Sequence, residues 1–123
     1  GSENRRYPWG TEDPGSNTSL ANFSSSDSSP FIAVGSHPLG AGRWGHLDLA
    51  GGMWEWGLDW YSEGWYSGVG NICSNCANLS AASDRVFRGG GWDYYGGLRA
   101  ANRNKDYPTN RDNNVGIRCA RTP

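Results

Sequence analysis

Apolar positions in this chain are sparse and clustered, and they follow the period of a strand more often than that of a helix. From Met53 to Trp56 the side chains alternate, which would aim Met53 and Glu55 to one side and Trp54 and Trp56 to the other. Arg85 to Arg88 (RVFR) predicts a second short strand that ends at the triple glycine Gly89-Gly90-Gly91, and Phe31 to Val34 predicts another. Pro38 to Gly45 reads as a turn. Leu98 to Arg103 (LRAANR) and Val115 to Arg121 (VGIRCAR) are the last ordered segments expected, with the polar stretch Asn104 to Asn114 between them. Residues 3 to 30 are polar, carry Pro8, Pro14, Pro30 and a serine run, and predict an irregular entry anchored by Tyr7 and Trp9. No long stretch has the helical period, no repeat recurs and no linker divides the chain, so one loop-rich domain over residues 1–123 is expected, with Gly1-Ser2 read as a cloning remnant.

Composition sharpens this picture. With 123 residues the chain can bury roughly two thirds of its unfolded surface. It has only three Phe and one Met but seven Trp and six Tyr, so a few large rings must supply most of the buried area. A net charge of −1 gives no electrostatic reason for a nucleic-acid or anionic-membrane partner. The cations are nearly all Arg, ten against one Lys, and seven of those Arg follow residue 84. Planar guanidinium groups suit buried pairs and stacking on rings, so most of them read as structural. No apolar run is long enough to cross a bilayer, and no charged-then-apolar leader opens the sequence.

Three cysteines leave three readings open. Zinc needs four ligands, and after Cys73, Cys76 and Cys119 only His37 and His46 remain to complete a set. A disulfide within or from the Cys73 loop, in a secreted or periplasmic setting, is the favoured reading. Free, buried thiols are the third.

The strongest chemical signal is GHLDLAGGMWEW, Gly45 to Trp56. It sets two carboxylates, Asp48 and Glu55, around a glycine turn in a tryptophan-lined segment. Burying both acids would be costly without a compensating cation, which points to a bound metal. Calcium suits the spacing, since it takes hard oxygen ligands and accepts carbonyls that a glycine turn directs inward. The alternative is that Asp48 caps a turn and Glu55 pairs with an Arg.

Seven landmarks, read in order, carry a resemblance: RRYPWG (5–10), ANF (21–23), GHLDLAGGMWEW (45–56), DWY (59–61), RVFRGGGW (85–92), LRAANR (98–103) and GIRCAR (116–121). Together they resemble the C-terminal part of the formylglycine-generating enzyme family, also called the sulfatase-modifying-factor family. The resemblance implies an irregular α+β fold, loop-rich and C-type-lectin-like, with short antiparallel strands and bound Ca2+. It implies calcium ligands at Asp48, Gly51, Met53 and Glu55, and a second, less complete set at Asn22, Phe23 and Asp27. It also implies what is missing. The family's catalytic cysteines follow its GG[S/G][W/Y] motif, where this chain reads Trp92-Asp93-Tyr94-Tyr95-Gly96-Gly97, and Cys119 lies in the terminal GxRCA motif, which is structural in the family. Cysteine oxidation to formylglycine is therefore not expected, and nothing matches the iron-binding histidine cluster of the ergothioneine-synthase branch. The N-terminal part of the family domain has no counterpart here, so a homodimer that completes the fold is one expectation and a fragment of a larger protein another.

Three functions follow as expectations. The first is a binding module for a small-molecule or protein ligand. Residues 93 to 114 are dense in Asp, Tyr, Asn and Gly, as adaptable binding loops are. The stretch also looks like the variable region of retroelement-diversified proteins of the same fold. Its candidate contacts are Trp92, Asp93, Tyr94, Tyr95, Arg99, Asn102, Arg103 and Tyr107. The second is a calcium-dependent hydrolase of activated carboxyl, phosphotriester or sulfate esters, with Asp93, Asp106, His37 or His46 assisting water attack. The third is a structural module in which calcium serves stability alone.

Overall fold

The computed structural model describes residues 3–23, 31–74 and 76–120. The aromatic alternation of the central segment produces its longest strand, β1 (Trp54–Trp60). RVFR forms β2 (Arg85–Arg88), and two short pieces follow, β3 (Asn104–Asp106) and β4 (Val115–Gly116). They build one mixed sheet in the order β3-β2-β1-β4. β1 runs antiparallel to β2, and β2 antiparallel to β3, but β1 and β4 are parallel, pairing Trp54 with Val115 and Glu55 with Gly116. The register of β1 against β2 slips between Trp56 and Trp60, where β1 carries extra residues opposite Phe87 and Arg85.

Several expectations are corrected. Phe31 to Val34 is irregular, and its side chains stay exposed instead of packing on one face of a sheet. The polar stretch after residue 103 contains a strand, β3, whose backbone bonds to β2 do not depend on apolar side chains. Leu98 to Arg103 is instead a turn region, and the C-terminal segment is a strand only at Val115 and Gly116. Not all strands are antiparallel, and among the described residues there is no α-helix, only single 3-10 turns at Pro38–Gly40, Trp65–Ser67, Val69–Asn71 and Tyr95–Gly97.

The expected alternation in the central strand holds. Trp54 and Trp56 both meet the Phe87 ring edge-on, at 5.0 and 5.3 Å between centroids, while Met53 and Glu55 line a cleft on the other side. The core has two parts. Tyr7, Ala21, Phe23, Ala50 and Leu98 pack together, with Trp9 stacked on Tyr7 at 5.0 Å. Trp54, Val86 and Phe87 form the sheet side. Arginines extend these small cores as predicted. Arg85 lies 4.4 Å over the Trp60 ring, and Arg103 lies 4.8 and 4.9 Å over the Tyr61 and Tyr66 rings while donating to the Ser62 and Glu63 carbonyls.

Cys73 and Cys76 form a disulfide, as expected within the Cys73 loop, which corrects the zinc and free-thiol readings for that pair; Cys119 is a free, exposed thiol.

Because the Trp54 ring is 4% exposed and joins both strands to the 91–97 turn, truncation leaves a large cavity. Trp54→Ala is expected to lower unfolding free energy by about 3–5 kcal/mol, measured by urea denaturation, whereas exposed Leu58→Ala should change it by under about 0.5 kcal/mol.

Candidate functional sites

The residues from Asp48 to Glu55 are held by a backbone crossing. Gly51 N–H donates to the Gly89 carbonyl at 2.8 Å, and Gly52 N–H to the Asn22 carbonyl at 2.8 Å. Gly51 has φ +77, and a Cβ there would overlap the Asn22 backbone, so only glycine fits. This crossing brings Asp48, Gly51, Met53 and Glu55 to the wall of one cleft of about 830 Å³. Asn22 lines the same cleft, so the first residue of the expected second calcium set joins the first set instead of forming a separate site. Phe23 is buried in the core, and Asp27 lies outside the described residues.

Charge in this cleft is organised by Arg118. Its Nε donates to Glu55 Oε1 at 2.8 Å and Oε2 at 3.0 Å, and its Nη2 to the Asp48 carbonyl at 2.7 Å. Asp48 itself sits at φ +56, and its Oδ2 accepts the Gly35 N–H at 2.7 Å. Burial pushes the Glu55 carboxyl above the usual carboxylate value, with the Asp48 charge adding to the rise and Arg118 opposing it. A Glu55 carboxyl whose ionisation is made costlier by burial and by the Asp48 charge, beside glycine-turn carbonyls, makes a donor set that fits a hard cation. Here a guanidinium supplies that positive charge. Among the described residues no three His, Cys, Asp or Glu side chains gather as metal ligands, so carbonyl oxygens would have to complete any cation's shell.

The four catalytic candidates are not brought together. His37 lines the cleft, but His46 is exposed and does not. Asp93 Oδ2 accepts from Asn114 at 3.0 Å, across to the loop before β4, and Asp106 accepts from Asn110 at 2.6 Å and from the Tyr107 N–H at 2.7 Å within its own loop.

The ligand-binding candidates divide into three groups. Tyr94, 54% exposed, stacks on the buried Trp54 at 6.4 Å, and Asp93 and Tyr107 are exposed as well. Tyr95, Arg99 and Asn102 line a second pocket of about 450 Å³ together with Tyr7, Gly96 and Ala101. Arg103 is turned away, bound to the 61–66 segment. Trp92 anchors the loop through its N–H to the Gly52 carbonyl at 2.8 Å; its buried indole N–H has no hydrogen-bond partner, which nothing in the structure explains.

Sequence reasoning missed Arg118, Arg6, Tyr7 and Asp13 as site residues. The only signal for Arg118 was the general option that Glu55 pairs with an Arg. At the pocket rim Tyr7 and Tyr95 hydroxyls both donate to Asp13, which is thereby held below the usual carboxylate value, chiefly by Tyr95 and then by the Gly15 N–H and Tyr7. The same bond pushes Tyr95 up to about 12.

With this geometry in view, comparison with known proteins gives the family. The model of the sulfatase-modifying factor enzyme 1-like domain matches residues 1–123, the whole chain. The chain belongs to this family. The domain is similar to serine/threonine-protein kinase Pkn1 of Chlamydia trachomatis serovar L2, 35% identical over 117 residues that cover 94% of this chain and 18% of the kinase. It is similar to hercynine oxygenase of Mycobacterium tuberculosis, 35% identical over 118 residues that cover 94% of this chain and 27% of the oxygenase. The chain thus spans well under a third of these curated relatives. Among solved structures, Treponema denticola variable protein 1 shares the fold with a TM-score of 0.68 at 22% identity, over 94% of this chain and 41% of that one.

The Asp13 arrangement has a definite pH signature. Its lowered folded-state value contributes stability that is present above the unfolded value of about 3.9 and is lost as pH falls through the folded one. Tyr95→Phe should move the Asp13 carboxyl back toward the ordinary value in a 13C-detected NMR titration. An unchanged midpoint would show that Tyr95 does not hold this carboxylate.

Proposed function

We propose that this sulfatase-modifying-factor-like domain is a calcium-stabilised ligand-binding module without cysteine-oxidase activity, presenting its ligand surface on residues 93 to 114. The observation that carries the binding reading is the Tyr94 platform. An exposed ring stacked on the buried Trp54 offers a rigid aromatic contact, and exposed Asp93 and Tyr107 lie in the same stretch. The absence of cysteine from Trp92 to Gly97 and the scattering of the catalytic candidates argue in the same direction. So does the fold shared with a protein named for variability, together with the kinship to C-type lectins that we read into this fold, although fold alone does not set function.

Calcium would be held by the Asp48 and Glu55 carboxylates with carbonyls of Gly51 and Met53, and would supply a fixed positive charge to this wall of the cleft. For that the Arg118 guanidinium must leave Glu55, so the chain's own residues set the affinity. Arg118 acts as an internal competitor for the same carboxylate.

One observation favours a second reading, hydrolysis of activated esters. His37 lines the same cleft as Asp48 and Glu55, where a base would be useful beside a cation. A screen with carboxyl, phosphate and sulfate esters, run with EDTA and with restored calcium, decides it. Turnover that calcium restores and His37→Ala abolishes would make the domain a hydrolase.

Two results are expected for the primary reading. Calcium should raise the melting temperature of the wild type, by the equivalent of about 2.7 kcal/mol at a hundredfold excess over Kd. Asp48→Ala and Glu55→Ala should remove that shift, and Arg118→Ala should strengthen calcium binding in isothermal titration. Equal calcium shifts in wild type and both acid variants would sink the site. For the ligand surface, peptide and glycan arrays should yield partners retained by the wild type and by Leu79→Ala, but lost by Tyr94→Ala combined with Tyr107→Ala. Partners bound equally by that double variant would place recognition elsewhere.

A further inference from the structure

Nine of the ten arginines lie among the described residues, and seven of these make a hydrogen bond, an ion pair or a ring contact through the guanidinium: Arg5, Arg43, Arg85, Arg88, Arg103, Arg111 and Arg118. The other two, Arg6 and Arg99, make none, and a backbone bond joins the segments that carry them. The Arg6 carbonyl accepts the Ala100 N–H at 2.9 Å, which joins the entry segment to the turn that carries Arg99. Both side chains are in exposed residues, and Arg99 lines the pocket of about 450 Å³ formed with Tyr7, Tyr95, Gly96, Ala101 and Asn102.

Asp13 adds a negative charge beside two of the lining rings, Tyr7 and Tyr95. Its oxygens are already occupied by the Tyr7 and Tyr95 hydroxyls and the Gly15 N–H, and Arg6 is near enough to act on it electrostatically. Asp13 therefore remains an anion, and none of its hydrogen bonds comes from Arg99. Arg99 lines the pocket and Arg6 acts on Asp13, so these three groups sum to a single net positive charge. That balance suits a monoanion, while a dianion would be repelled by Asp13. The planar fork of Arg99 matches a carboxylate in two parallel hydrogen bonds. The Tyr95 ring, 37% exposed, gives the ligand's body an aromatic wall. Asn102 keeps its own position by donating to the Gly96 carbonyl at 2.7 Å, so the wall is fixed before any ligand arrives.

We propose that the pocket between Tyr7, Tyr95 and Arg99 binds a monoanionic carboxylate, with Arg99 as the direct contact and Arg6 as the supporting charge. This deepens the binding-module reading and rests on it for its biological meaning, but it concerns a pocket apart from the Tyr94 and Tyr107 platform. The carboxylate could come from a free small acid or from the C-terminus of a peptide; the chemistry recognised is the same.

The test is a 1H–15N NMR titration of the intact chain with benzoate, with benzamide as the neutral isostere and phenyl phosphate as the dianion. A short peptide with a free C-terminus and its C-terminal amide form a second pair. Saturable shifts confined to Tyr7, Tyr95–Asn102 and their neighbours are expected with benzoate and not with benzamide. Preference for the free-acid peptide over its amide would identify a chain terminus as a source, and benzoate binding without that preference would identify a free acid; either supports the proposal. Arg99→Gln should weaken benzoate binding about tenfold or more, and Arg6→Gln by less, whereas Arg43→Gln should leave it unchanged. Because neither Arg6 nor Arg99 holds another group, both variants should melt as the wild type does. Benzamide binding as well as benzoate, phenyl phosphate binding more tightly, or full benzoate binding by Arg99→Gln would each overturn the proposal. Loss of array ligands in the Tyr94 and Tyr107 variant with benzoate binding intact would show the two surfaces to be separate. Benzoate failing while array ligands persist would remove the carboxylate pocket alone and leave the binding reading standing.

Discussion

The structure depends on how closely its backbone can approach itself at one crossing. Gly51 and Gly52 bond to Gly89 and Asn22, and the carbonyl of Gly52 accepts the Trp92 N–H. Beside it, a Cβ on Gly97 would lie 2.6 Å from the Gly90 Cα and 2.6 Å from the Trp54 ring. The entry segment, the carboxylate turn, the end of β2 and the aromatic loop all meet where side chains would exclude them. A chain with one four-stranded sheet and no α-helix among its described residues has few other means of fixing loops. Its two candidate sites flank this crossing, the cleft of Asp48 and Glu55 on one side and the loop from Trp92 to Asn102 on the other.

Arginine takes the part that a larger apolar core would otherwise play. Guanidinium groups cover Trp60, Tyr61 and Tyr66, and they bond to carbonyls that irregular loops leave without strand partners. Loops must satisfy their backbone polar groups as fully as strands do, and a planar donor with five N–H groups serves several carbonyls at once. Arg118 extends this habit to a pair of buried-side acids. It pairs with Glu55 and ties the Asp48 carbonyl, while the cleft keeps a donor set that an ion could use. The two sites are opposites in this respect. At the cleft an arginine is fully engaged, and at the Tyr95 pocket an arginine is left with nothing to hold.

The sheet and the carboxylate turn were legible because their signals are local. Alternation at Met53–Trp56 needs only the two-residue period of a strand, and RVFR ends where three glycines forbid its continuation. The family was legible for a related reason, since tryptophan- and glycine-containing landmarks in fixed order are rare by chance. Phe31 to Val34 misled for the converse reason: β-branched and aromatic residues favour a strand where a half-buried pleated surface receives them, and these side chains stay exposed. Asn104–Asp106 was hidden because an edge strand of polar residues is held by backbone bonds alone.

The sequence by itself determined the family, the two central strands, the structural use of most arginines and the pair of acids around a glycine turn, because each of these is written in neighbouring residues. The tertiary structure alone decided that Glu55 faces Arg118 across 63 residues, that Asn22 joins the first cleft, and that the Arg6 backbone bonds to the turn carrying Arg99. Those are meetings between segments whose approach is set by the parallel placement of β4 on β1 and by the glycine crossing. No local period records which distant charges such an approach will bring face to face.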